Sequence, residues 1–105
     1  GFRAVLMAYT RTDNGSETVV MLEGTLDAVT APEFRTLADE LVAENRKNVI
    51  LDMSSLRLID SSGVGVIVAL FKRMRADGGQ VRMVGLRDQP RAIFRLLRLD
   101  RILPT

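Results

Sequence analysis

The run Val49-Ile50-Leu51-Asp52-Met53 constrains this chain more than any other stretch. A continuous apolar run with β-branched residues, bounded by polar breaks, suits a strand buried on both faces, usually a central one. A central strand needs neighbours on each side and a layer to cover it. Shortly after it come Leu58-Ile59-Asp60-Ser61-Ser62-Gly63-Val64-Gly65 and then a long apolar-rich stretch at helical spacing. A buried strand that hands over to a helix through Asp, two Ser and Gly puts two hydroxyls, a carboxylate and free backbone N–H groups at one helix start.

The flanking chain supplies the remaining layers. Phe2 to Tyr9 is mixed apolar and fits a first strand, and Asn14-Gly15 within the turn cluster Thr12 to Ser16 is a hairpin signal. Thr18-Val19-Val20-Met21-Leu22 reads as the returning strand, with Gly24-Thr25-Leu26-Asp27 ending it in a loop. Thr30-Ala31-Pro32-Glu33 reads as a capping box with Pro in the first turn. Phe34, Leu37, Ala38 and Leu41 carry that helix to about Glu44. Ser54 to Arg57 reads as a connection. The helix from Ser62 to Asp77 keeps Val64, Ile67, Val68, Phe71 and Met74 on one face and ends at Gly78-Gly79. Val81 to Leu86 reads as a further strand. Asp88, as N-cap, and Pro90 open a last helix with Ile93, Phe94, Leu96 and Leu97 as its apolar positions. The order β-β-α-β-α-β-α predicts one α/β domain over residues 1–105, with a mixed four-stranded sheet and helices packed mainly on one side.

Composition narrows the chemistry. The 105 residues contain no Cys and no His. That removes disulfides, thiolate metal sites and every nucleophile paired with His, so catalysis, a metal and a cofactor are not expected. No run approaches a bilayer span, and Gly1-Phe2-Arg3 leads into a short strand-like segment rather than a leader core. The chain is expected to be cytoplasmic. It opens without Met, as a processed chain or a piece of a longer protein would. Residues 1–60 hold 6 Lys/Arg against 10 Asp/Glu, and residues 61–105 hold 9 against 3, so two differently charged surfaces are expected. Arg87, Arg91, Arg95 and Arg98 form a stripe, but no aromatic residues interleave with them. A solvated face accounts for that stripe better than direct nucleic-acid binding.

The residues alone leave two readings of Asp60-Ser61-Ser62-Gly63. Either serine can be an N-cap. Alternatively one carries a phosphate, which a helix N-terminus tolerates because its N–H groups and dipole favour an anion. Gly63-Val64-Gly65 is a weak nucleotide signal: Val68 stands where a third glycine of the dinucleotide fingerprint belongs, and no Gly-Lys-Ser/Thr follows.

Asp60-Ser61-Ser62-Gly63-Val64-Gly65-Val66 resembles the signature of bacterial anti-sigma factor antagonists, the stand-alone STAS domains. Gly24-Thr25-Leu26-Asp27 resembles the family's loop before its first helix, Val49 to Met53 its central strand, Lys72 to Gly85 its helix, glycine pair and strand, and Leu96 to Leu103 its closing segment. The resemblance implies that Ser61 is the phosphorylated serine. It implies a partner, an anti-sigma factor serine kinase of the GHKL type, which the unphosphorylated chain binds so that a sigma factor is freed. It implies a serine phosphatase that resets the switch. The docking face expected from it comprises Gly24, Thr25, Asp27, Asp60, Ser61, Ser62 and Gly63. Two rival classes remain: a constitutive STAS module of a transporter or stress-sensing complex, and a weak nucleotide-binding sensor.

Overall fold

A two-residue turn starts the sheet. The computed structural model describes residues 7–101. Strand β1 (Met7–Asn14) pairs antiparallel with β2 (Glu17–Leu26), and Asn14 faces Glu17 across the turn. The central turn residues are therefore Gly15 and Ser16, one position later than Asn14-Gly15 suggests. Gly15 takes φ 64° while Ser16 stays out of the positive region. A glycine alone at the first central position is the mark of a type II′ turn, whose twist suits a hairpin. The expected first strand began at Phe2; Phe2 to Leu6 lie outside the described residues.

Helix α1 (Ala31–Ala43) follows, then β3 (Asn48–Ile59), helix α2 (Ser61–Ala76), β4 (Gln80–Val84), helix α3 (Asp88–Leu96) and a 3-10 turn at Leu99–Arg101. The sheet order is β1-β2-β3-β4, with β3 parallel to both neighbours. Val20 and Leu22 of β2, Val49, Leu51 and Met53 of β3, and Val81 and Met83 of β4 are buried at alternate positions. They join Phe34, Leu37 and Leu41 of α1 and Ile67, Leu70 and Met74 of α2 in one core. One sheet face is thus covered by α1 and α2, as the mixed four-stranded prediction requires. No helix among the described residues is long and apolar enough to cross a membrane.

Several boundaries differ from the sequence reading, each for a physical reason. Ser54 to Arg57 is strand, not connection. Buried positions on β3 fall at Val49, Leu51 and Met53, then at Leu56 and Ile59. The spacing changes from two to three because β3 carries an extra residue twice, where its register with β2 shifts. Bulges break the alternation by which a strand is recognised. Gly24, Thr25 and Leu26 likewise belong to β2 rather than to a loop.

The ends of α1 and α3 also depart from expectation. Thr30 makes no side-chain cap and there is no capping box. Its hydroxyl donates instead to the Thr25 carbonyl at 3.0 Å and accepts from the Asp27 amide at 2.8 Å. Asp88 is not an N-cap either; Arg87 precedes the helix, and Asp88 is its first residue, with φ 54°. Pro90 and Phe94 face the core, but Leu96 is 80% exposed and Leu97 48%. Leu96 lies two residues past Phe94 and so on the far side of the helix. Both α1 and α2 close with paired reverse bonds. Gly79 N donates to Met74 O and Gly78 N to Arg75 O, while Asn45, at φ 59°, takes the left-handed place after α1.

Arg46 ties the hairpin to this frame. Its guanidinium donates to the carbonyls of Gly15 and Glu17 at 2.7 and 3.0 Å and to the Thr18 hydroxyl at 2.8 Å. Nearby, Arg11 of β1 bridges Asp13 at 3.0 Å and Glu44, after α1, at 2.7 Å. Hydrogen bonds from Arg11 hold both carboxyls below their usual range. Their folded pKa lies below the unfolded one, so the stabilisation is complete above the ordinary carboxylate range and is lost as pH falls through the lowered values. Arg11→Met removes the shared partner. Its urea midpoint should therefore fall less than the wild-type midpoint between about pH 7 and about pH 3.

Candidate functional site

The start of α2 is built against the end of β2. Asp60 N donates to Leu26 O at 3.2 Å, so the residue before the helix is still bonded to the strand beside it. Asp60 then turns extended, with φ −111° and ψ −173°, and its carboxylate accepts from Gly63 N at 3.0 Å. The N-cap of α2 is therefore Asp60 and not a serine. Val64 N donates to Asp60 O at 2.9 Å and closes the first turn.

That assignment leaves both hydroxyls spare. Ser61 is the first helical residue and Ser62 the second, and both are exposed. Among the described residues no hydrogen bond engages either hydroxyl or either backbone N–H of this pair. Two free amides at the positive end of a sixteen-residue helix form a seat for an anion. The hydroxyls stand beside that seat.

Gly63 serves the packing of this corner. A Cβ there would lie 2.4 Å from Leu26 O and 2.7 Å from Ile59 Cγ1. Only glycine lets the helix come so close to two strands. The glycine pair is thus no phosphate loop in its geometry: Gly63 faces protein, and Gly65 faces open space.

The Asp27 loop is stiffened from within. Its carboxylate accepts from the amides of Val29 and Thr30 at 3.0 and 3.1 Å. Leu26 carries this loop against the first turn of α2, and Thr25 is linked to it through the Thr30 hydroxyl. Of the expected docking residues, Thr25, Asp27, Asp60, Ser61, Ser62 and Gly63 therefore cluster at one corner. Gly24 stands further back, in the strand, with φ 89° opposite Leu56 beside a register shift.

The family model described as "STAS domain" matches residues 7–105. The chain belongs to the STAS domain family. It is 28% identical over 87 residues to an anti-sigma F factor antagonist of Paenibacillus polymyxa, covering 82% of this chain and 74% of that protein. Its fold matches an anti-sigma factor antagonist from Mycobacterium paratuberculosis with a TM-score of 0.82 at 23% identity, over 93% of this chain and 83% of that one. It also matches the phosphorylated form of the Bacillus cell fate determinant SpoIIAA, with a TM-score of 0.74 at 20% identity, over 91% of this chain and 88% of that one.

Two features of this STAS domain's corner had no signal in the sequence. Val29 is 68% exposed and Leu58 53% exposed, each beside a residue of the cluster. Gln89 of α3 bonds both backbone groups of Ile59, accepting from its N–H at 2.9 Å and donating to its C=O at 2.8 Å. A glutamine in the first turn of a helix is ordinary, so nothing short of the folded strand end could single it out.

The packing at Gly63 predicts a sharp cost. Gly63→Ala should destabilise the domain by about 1–3 kcal/mol, because the contacting atoms include backbone that cannot move aside. Gly65→Ala, in open space, should leave stability unchanged or raise it by up to about 1 kcal/mol through helix propensity. Urea unfolding of the two variants side by side measures the difference.

Proposed function

We propose that this chain is an anti-sigma factor antagonist whose unphosphorylated form binds a GHKL-type anti-sigma factor serine kinase and so releases a sigma factor. Phosphorylation of Ser61 ends the complex, and a serine phosphatase restores it. The observation that carries this reading is the spare hydroxyl of Ser61. Asp60 does the capping, so Ser61 stands exposed at the first position of α2 with no structural duty. The relative from Paenibacillus polymyxa bears the name of an antagonist of this kind, which supports the same reading.

The physics of the switch is local. Phosphate on Ser61 would add a charge of about −1.5 to −2 beside the free amides of the first turn. The dipole favours that charge, so the helix and the fold persist. The surface changes sign instead. Asp60 already places a carboxylate beside Ser61, and a second anion there raises the cost of burying this corner against a partner. A loss of about 3 kcal/mol weakens binding by more than about 100-fold. The docking face comprises Thr25, Asp27 and Asp60 to Gly63, with Gly24 behind them.

The test uses the purified chain, ATP and purified GHKL-type anti-sigma factor kinases. Mass analysis should find phosphate on Ser61; phosphate on Ser62 alone would overturn the site. Ser61→Ala should bind such a kinase and resist release by ATP. Ser61→Asp should bind at least about 100-fold more weakly. Equal binding by the two variants would favour a constitutive scaffold over a switch.

A further inference from the structure

Ile59 needs two hydrogen-bond partners that the sheet does not supply. Leu26 stands opposite Ile59 in parallel register, and the bond between the strands there runs from Asp60 N to Leu26 O. In a parallel ladder this turns the N–H and C=O of Ile59 itself to the other side of the strand. That side belonged to β4, whose pairing with β3 ends at Asp52 and Val84. Two backbone groups next to a buried side chain would be left without partners, a costly arrangement wherever water is excluded.

Gln89 supplies both bonds. Its Nε2 donates to Ile59 O at 2.8 Å, and its Oε1 accepts from Ile59 N at 2.9 Å. A carboxamide has the donor and acceptor of a peptide unit, so one side chain stands in for the missing strand. The position matters because Ile59 is the reference for the corner. Gly63 packs against its Cγ1, and Asp60 follows it directly in the chain and caps α2. Any drift of Ile59 passes to the first turn that carries Ser61.

We propose that Gln89 is a positioning residue of the phosphoacceptor corner. Its carboxamide holds Ile59 to Gly63 in the frame that presents the Ser61 hydroxyl. The link to phosphorylation rests on the function proposed above; the link to the frame does not. A helix some thirty positions downstream of the motif thereby helps to set how readily the motif is modified.

The test compares Gln89→Met and Gln89→Glu with the wild-type full chain. Met keeps the length of the side chain and loses both bonds. Glu keeps the shape, but its second oxygen meets the Ile59 carbonyl as a repelling acceptor. Amide hydrogen exchange should show protection at Ile59 and Gly63 in the order Gln, Met, Glu, with about a tenfold loss for Met and no change at Val20 and Leu51. If Gln89 acted only by filling space, Glu would match Gln. With a purified GHKL-type kinase, Gln89→Met should lower kcat/KM for Ser61 about tenfold, mainly through KM, since the segment must order on binding. Unchanged protection at Ile59 and Gly63 in both variants overturns the proposal outright. Lost protection with wild-type kcat/KM overturns the link to phosphorylation. A wild-type chain that takes no phosphate on Ser61 overturns the proposed function instead, and the exchange order then decides the positioning role alone.

Discussion

After its pairing with β4 ends at Asp52, β3 runs on to Ile59, and the functional corner depends on how that overrun is held. A strand with one neighbour has a row of open backbone groups on its other side. Here side chains hold the row at two points, Asp52 at Ser54 and Gln89 at Ile59. Asp52 accepts from the amide and hydroxyl of Ser54 at 3.0 and 2.7 Å, just where β4 departs. Gly85, at φ 75°, lets the chain leave β4 tight against Ser54. Gln89 then closes the far end at Ile59. The two register shifts against β2 lie along the same overrun.

The corner at the end of this strand separates two tasks that the sequence leaves entangled. Asp60 takes the capping bond to Gly63, and Leu26 takes the bond from Asp60. With those needs met, the Ser61 and Ser62 hydroxyls and amides are left over at the positive end of α2. A helix start whose cap is already satisfied can accept an added anion without surrendering its own stabilisation. That is the physical basis on which a phosphate switch at Ser61 is proposed: a change of surface charge on an unchanged fold.

Much of the architecture was legible because its signals are local. The apolar run Val49 to Met53, the helical spacing of Phe34, Leu37 and Leu41, and the glycine pair after α2 each encode their element within a few residues. Yet β3 is buried on one face, with Ile50 and Asp52 half-buried on the other, and not on both as expected. The misread segments share one cause. Ser54 to Arg57 lost its alternation to bulges, Gly24 to Leu26 is strand through its pairing with Leu56 to Ile59 of β3, and the hydroxyl of Thr30 went to Thr25 rather than to its own helix. In each case a bond to a neighbouring strand or loop overrode the local pattern. Leu96 was misplaced because it lies off the stripe through Pro90 and Phe94 that meets the core, and Leu97 because the helix ends just before it.

The sequence by itself determined the element types, their order and the motif Asp60-Ser61-Ser62-Gly63, since helix and strand periodicity and cap chemistry act over short distances along the chain. The tertiary structure decided which group caps α2, which hydroxyls remain free and what holds Ile59. Those answers depend on where β4 ends and where Gln89 arrives, some thirty positions away in the chain. A backbone group left open by one strand can be satisfied by any donor or acceptor the fold brings near it, and no local pattern names the residue that will do so.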